Sequence, residues 1–213
     1  MTSVIAGFYG KLPARGDFVR AMLPRDFTDP WDHWLSVAMA GSRAQMGEDW
    51  LPAFLESPVW RFALPAGACG ARAVLGLMLP SVDRAGRYFP LTFAALFADR
   101  AVASDGPALD AWLDRCEAAG RAALEEDAAP ERLNDMLGQP ELPALADPPP
   151  DPTGNGGVIV TTAWWTDGAP RVPATRLTIQ GMPDAATYAT MLGAQAAQEP
   201  PTASGGDAWE QPS

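Results

Sequence analysis

The sequence predicts an α/β fold: a three-layer sandwich in which a mixed, largely antiparallel sheet carries helices on both faces. Strand-like and helix-like stretches alternate along the chain, and the helical connections are long enough to cross the sheet on either side. Within residues 59–97, three apolar runs follow one another with no helix between them, which predicts antiparallel neighbours. A chain of 213 residues has room for one cored domain, placed at residues 1–196. No apolar run approaches the roughly 18 residues of a membrane span.

Residues 4–9 read as a first strand, rich in β-formers. The loop G-K-L-P-A-R-G-D-F at 10–18 follows, shaped by two glycines and a proline. It is not a phosphate loop, because Leu12 stands where a serine or threonine would have to follow Gly10-Lys11. Asp29-Pro30 reads as a helix start, with Trp31, Trp34, Leu35 and Ala38 on one face as far as Gln45. His33, the single histidine, falls off that stripe and is expected in solvent.

A short helix after Gly47 is expected to bury Trp50, Phe54 and Leu55. Strands are predicted at 59–64, 72–79 and 91–97, then a long helix opened by Gly106-Pro107 with Leu109, Trp112, Leu113, Cys116 and Ala123 inward. A helix at 131–137 precedes a proline-rich connector at about 138–157. A hairpin of 158–165 with 175–180 is expected to extend the sheet, and a last helix at 184–195 to turn Tyr188, Met191 and Leu192 inward. The tail 197–213 is polar and proline-containing, which predicts disorder, with Trp209 its odd residue.

Net charge is −11, and it is unevenly placed: residues 1–100 hold ten basic and nine acidic side chains, residues 101–151 three and twelve. With one lysine, Lys11, and no basic stripe, the chain is not expected to bind nucleic acid. Two distant cysteines without metal-ligand spacing fit free thiols, and one histidine leaves a His/Cys metal site without ligands. The N-terminus lacks the pattern of a secretory signal, so a cytoplasmic location, with no membrane insertion and no cofactor, is the expectation.

The chain is organised around residues 79–92, L-P-S-V-D-R-A-G-R-Y-F-P-L-T, which join two apolar runs. A hairpin needs only two to five turn residues, yet this stretch carries Asp83, Arg84, Arg87, Tyr88 and Phe89 between two prolines. Arginine is a rigid fork suited to a carboxylate. Asp83 is therefore held by an arginine of its own loop, or Arg84 and Arg87 hold Asp17 across the fold, or these charges with Arg15 only staple the loops together. The expected surface joins Lys11, Arg15 and Asp17 to Asp83, Arg84 and Arg87, with Trp60 and Arg61 beside them if the strand order allows. Its role is partner binding or loop locking.

Three motifs then stand together: G-K-L-P-A-R-G-D-F at Gly10, P-V-W-R-F at Pro58 and P-S-V-D-R-A-G-R-Y-F-P-L-T at Pro80. In this order and spacing they resemble the TagF/ImpM family of type VI secretion-associated proteins. The third is the most specific, and A-W-W-T-D-G at Ala163 also looks like a family feature. The resemblance implies an α/β sandwich and a cytoplasmic bacterial regulator. It further implies post-translational repression of type VI secretion by binding to the machinery or to its forkhead-associated scaffold protein. Some relatives carry a fused serine/threonine phosphatase domain, for which this chain has neither the length nor the metal-binding aspartates. The alternatives are an anion- or phosphate-handling enzyme using Asp17 or Asp83 with the arginines, and a structural component of the apparatus. If both aspartates are consumed internally, the interface lies elsewhere, with the acidic helix at 109–127 as the candidate.

Overall fold

A computed structural model of the chain describes residues 4–97, 106–126, 129–137 and 160–194. The connector expected at about 138–157 and the tail 197–213 with Trp209 lie outside the described residues. The strands are β1 (Val4–Gly10), β2 (Val19–Ala21), β3 (Trp60–Leu64), β4 (Ala73–Leu79), β5 (Leu91–Phe97), β6 (Thr161–Thr166) and β7 (Thr175–Gln180). The helices are α1 (Arg25–Met46), α2 (Trp50–Leu55), α3 (Pro107–Glu125), α4 (Pro130–Leu137) and α5 (Ala185–Met191).

One seven-stranded sheet runs β2-β1-β5-β4-β3-β6-β7. Every pairing in it is antiparallel, which corrects the expected mixed sheet. The reason is the wiring. Parallel neighbours need a crossover between adjacent strands, whereas the two helical crossovers link β2 to β3 and β5 to β6, pairs that are not neighbours. The helices therefore span the sheet without adding a parallel pair, and β6–β7 extends it as the expected hairpin.

β4 and β5 are buried at all seven positions, and alternation divides their side chains between two clusters. Leu75, Leu77, Leu79, Leu91 and Phe93 pack with Leu109, Trp112, Leu113 and Cys116 of α3 and Leu133 and Leu137 of α4. Val74, Met78, Ala94 and Leu96 pack with Trp31 and Leu35 of α1, Phe54 of α2 and Tyr188 and Met191 of α5. Trp31, Phe62 and Trp164 are fully buried in this second cluster, Trp31 and Phe62 with ring centroids 4.7 Å apart and Phe62 and Trp164 5.2 Å apart. Among the described residues, no helix is long and apolar enough to cross a membrane.

Three local expectations change. α1 begins at Arg25, a turn before Asp29-Pro30, because Pro24 already ends the preceding extended backbone and its carbonyl receives the N–H groups of Phe27 and Thr28. Pro30 thus lies inside the helix, where it leaves out one backbone bond without ending the helix. Leu55 is 52% exposed instead of buried, since α2 is only long enough to turn Trp50, Ala53 and Phe54 inward. β2 is a short edge strand that the sequence reading passed over as an irregular connection.

Candidate functional site

The site begins with a glycine. Gly10 ends β1 at φ 144°, and a Cβ there would come within 2.2 Å of the Pro90 carbonyl oxygen and 2.8 Å of Leu91 Cα. Only glycine permits that approach, and the approach sets the next residue, Lys11, against the turn between β4 and β5. Lys11 is buried, with its Nζ 2.5 Å from Asp83 Oδ2. The Ser81 hydroxyl donates to the Lys11 carbonyl at 2.6 Å, fixing the backbone at the same place.

The stretch around Asp83 is a small hairpin. Phe89 N–H donates to the Ser81 carbonyl, Asp83 N–H to that of Arg87, and Gly86 N–H to that of Asp83, with Gly86 at φ 77°. Its tip folds around the Asp83 carboxylate. Oδ2 accepts from Lys11 Nζ and, at 2.8 Å, from Arg87 Nε, while Oδ1 accepts from the N–H groups of Ala85 and Arg87, each at 2.9 Å. Burial alone would raise the pKa of this carboxyl. The Lys11 ammonium, the Arg87 backbone and side chain and the Ala85 N–H outweigh it and hold the group well below the usual carboxylate range.

Asp83 is therefore an inward-facing anchor that stays ionised at neutral pH. It is not a base presented to a substrate. The loop-stapling arrangement is the one found, with a difference: beside the Arg87 of its own loop, the second cation on Asp83 is Lys11 from the distant loop.

Around this ion network lies a rim. The Arg87 guanidinium also donates to the Gly16 carbonyl and lies 3.7 Å from Asp17 Oδ1. Arg84 N–H donates to the Arg15 carbonyl at 3.0 Å, and the Arg15 side chain lies 3.5 Å from Glu131 of α4. Asp17 is 99% exposed, and Arg15, Arg84 and Arg87 all reach solvent. Phe18 closes the network on one side. Its ring lies 4.8 Å from Lys11 Nζ, stacks on Tyr9 at 5.3 Å and meets Phe89 edge-on at 4.8 Å. The Tyr9 hydroxyl donates to Asp32 of α1 at 2.7 Å, and burial, then Asp32, pushes its pKa up.

The structure brings Lys11, Arg15, Asp17, Asp83, Arg84 and Arg87 together. Trp60 and Arg61 stand outside the cluster, correcting the grouping made from sequence. Trp60 is buried, and its indole N–H donates to the Met191 carbonyl at 3.0 Å. Arg61 turns to the other face of β3 and binds Asp114 at 2.8 Å and Glu117 at 3.1 Å on α3. Adjacent positions on a strand point to opposite faces, so W-R could never supply two residues to one patch.

The sequence reading missed Ser81 and Phe18. The alternation at Phe18-Val19-Arg20-Ala21-Met22 becomes readable only once the three-residue β2 is known. As expected, His33 is exposed and Cys116 is buried in the apolar stripe of α3. Burial pushes the Cys69 thiol up to about 12 and Cys116 higher still, which leaves both as neutral packing groups. Among the described residues, no group of three or more His, Cys, Asp or Glu side chains is placed to hold a metal ion.

Comparison with known proteins adds a family and a neighbour. The model of the TagF N-terminal domain, described as type VI secretion system-associated, matches residues 7–139. The crystal structure of PA0076 from Pseudomonas aeruginosa PAO1 is similar to this chain with a TM-score of 0.75 and 34% identity, over 92% of this chain and 97% of that one. The comparison with curated protein sequences gave no match.

Proposed function

The chain belongs to the TagF N-terminal domain family of type VI secretion-associated proteins, and on that premise we propose that it is a cytoplasmic regulator that represses type VI secretion by binding. Its partner is the secretion machinery or the forkhead-associated scaffold protein of that system. In the same reading, the two core clusters are helical layers on opposite faces of the sheet, which hold the loop end of the sheet rigid.

The observation that carries this reading is the locked pair of loops. A buried ion pair is an unreliable source of stability, because desolvation offsets most of the attraction. The Lys11–Asp83–Arg87 network is better explained by what it fixes in place. It holds Arg15, Asp17, Phe18, Arg84 and Arg87 in solvent on two segments about seventy residues apart. Arginine and aromatic side chains are enriched among the residues that dominate binding energy, and a rigid presentation lowers the entropy lost on association.

Complementation tests the reading. Deleting the gene is expected to raise type VI secretion. The wild-type chain restores repression, and the double variant Arg84→Ala/Arg87→Ala, made as a folded protein, does not. Full repression by that variant removes the face from the site. Loss of secretion on deletion makes the protein a component of the apparatus and overturns the repressor reading.

A further inference from the structure

Resting on the binding reading above, we propose that the partner docks through an acidic segment carrying apolar side chains, and that this segment lies along the outer side of β2 and the tip of the 81–89 hairpin. Among the described residues β2 is an edge strand, paired only with β1. Val19 and Ala21 pack into the cluster shared with α3 and α4, so alternation puts Phe18, Arg20 and Met22 on the opposite side of the strand. There Phe18 is 45% and Met22 73% exposed, and Arg20 reaches solvent. Among the described residues only five large apolar side chains are exposed, and two of them bracket this arginine.

Met22 is placed by strain. Its φ is 61°, the only positive value at a described residue other than glycine, and Leu23 N–H donates to the Ala21 carbonyl at 2.7 Å across it. This is a γ-turn that a bulky side chain adopts reluctantly. Strain of this kind concentrates at functional positions, and here it holds a methionine, an adaptable apolar contact, away from the core.

The charges fit the same occupant. Arg20 and Arg84 make no side-chain hydrogen bond or ion pair among the described residues. The neighbouring cations are already matched, Lys11 and Arg87 by Asp83, Arg87 also by Asp17, and Arg15 by Glu131. Asp32 and Asp29 bound the strip on the α1 side, with Asp32 accepting from the Tyr9 hydroxyl. On a chain of net charge −11, two uncommitted guanidinium forks beside an exposed phenylalanine and methionine suit carboxylates interleaved with apolar side chains.

Photo-crosslinking in secreting cells tests the proposal. The full chain carries benzoylphenylalanine at position 18 or at position 22, with and without Arg20→Glu/Arg84→Glu, and the adduct peptide is read by mass spectrometry. The expected result is one dominant adduct segment with Asp and Glu in excess of Lys and Arg. Its yield should fall at least tenfold in the charge-reversed protein, while the melting temperature of that protein stays unchanged. A neutral or basic segment, an unchanged yield, or no adduct overturns the proposal. An acidic segment from a protein outside the secretion machinery sustains it and overturns the repressor reading, whereas a basic segment from the secretion machinery does the reverse.

Discussion

Asp83 shows how one residue joins two distant loops. Its folded pKa lies below the ordinary value of 3.8, so its stabilising contribution is complete above that pH and is lost as pH falls through it toward the folded pKa. Unfolding by urea at a series of pH values should show wild-type stability dropping from about pH 4 downward. Asp83→Asn should be less stable at pH 7, with Lys11 left unpaired, and should show a flatter acid limb. Equal acid slopes for the two proteins would mean that the carboxylate is not held as described.

A second contrast concerns buried indoles. Trp31 and Trp112 are both fully buried, but Trp31 donates to the Thr92 hydroxyl at 3.0 Å while the Trp112 N–H has no partner among the described residues. Leaving a buried polar group unpaired costs about 1–3 kcal/mol, so Trp31→Phe should destabilise by about 1 kcal/mol or more beyond Trp112→Phe in the same unfolding assay. At this scale the sequence was informative about which residues gather and less so about their pairings. Arginine as the carboxylate fork was half right. Lys11 was not foreseen in that role, because its burial depends on Gly10 approaching Pro90, a tertiary contact.

Elements were legible where periodicity ran long. α3 buries every residue of the stripe read from sequence, and β5 keeps its predicted bounds, since a seven-residue run directly after Pro90 that is apolar except for Thr92 admits little else. Boundaries and short elements were harder to read. β2 spans three residues, too few for alternation to stand out, and the start of α1 depends on Pro24 receiving the first N–H groups. The antiparallel sense of β3, β4 and β5 was readable from their short connections, whereas that of the strands reached by helical crossovers was not, because only the order of strands across the sheet decides it.

The antiparallel centre makes its own prediction. Amides of β4 and β5, buried on both sides and paired on both edges, should exchange with solvent only through global unfolding. Those of β2 and β7, at the sheet edges, should exchange orders of magnitude faster. Equally slow exchange at β7 would show that its outer edge is covered.

The whole molecule is an acidic protein whose loop end is the exception. The charge imbalance of −9 in residues 101–151 leaves the first hundred residues near neutral, and it is there that Lys11, Arg15, Arg20, Arg84 and Arg87 collect. Both cysteines serve as reporters of the global fold. Cys69 is 4% and Cys116 0% exposed, with thiols raised by burial, so iodoacetamide at pH 8 should modify them only as fast as the chain unfolds. Modification that outpaces unfolding would contradict the packing of either helix face.

The central claim is that two loops, locked by a buried ion network, present a docking face whose affinity depends on side chains that do nothing for the fold. Arg84 tests it most directly, since its side chain has no bond within the protein among the described residues. Titration of the purified scaffold protein by calorimetry should show Arg84→Ala weakening binding by about 2 kcal/mol, roughly thirty-fold, with an unchanged melting temperature. Equal affinity for the wild-type and Arg84→Ala proteins would contradict the claim.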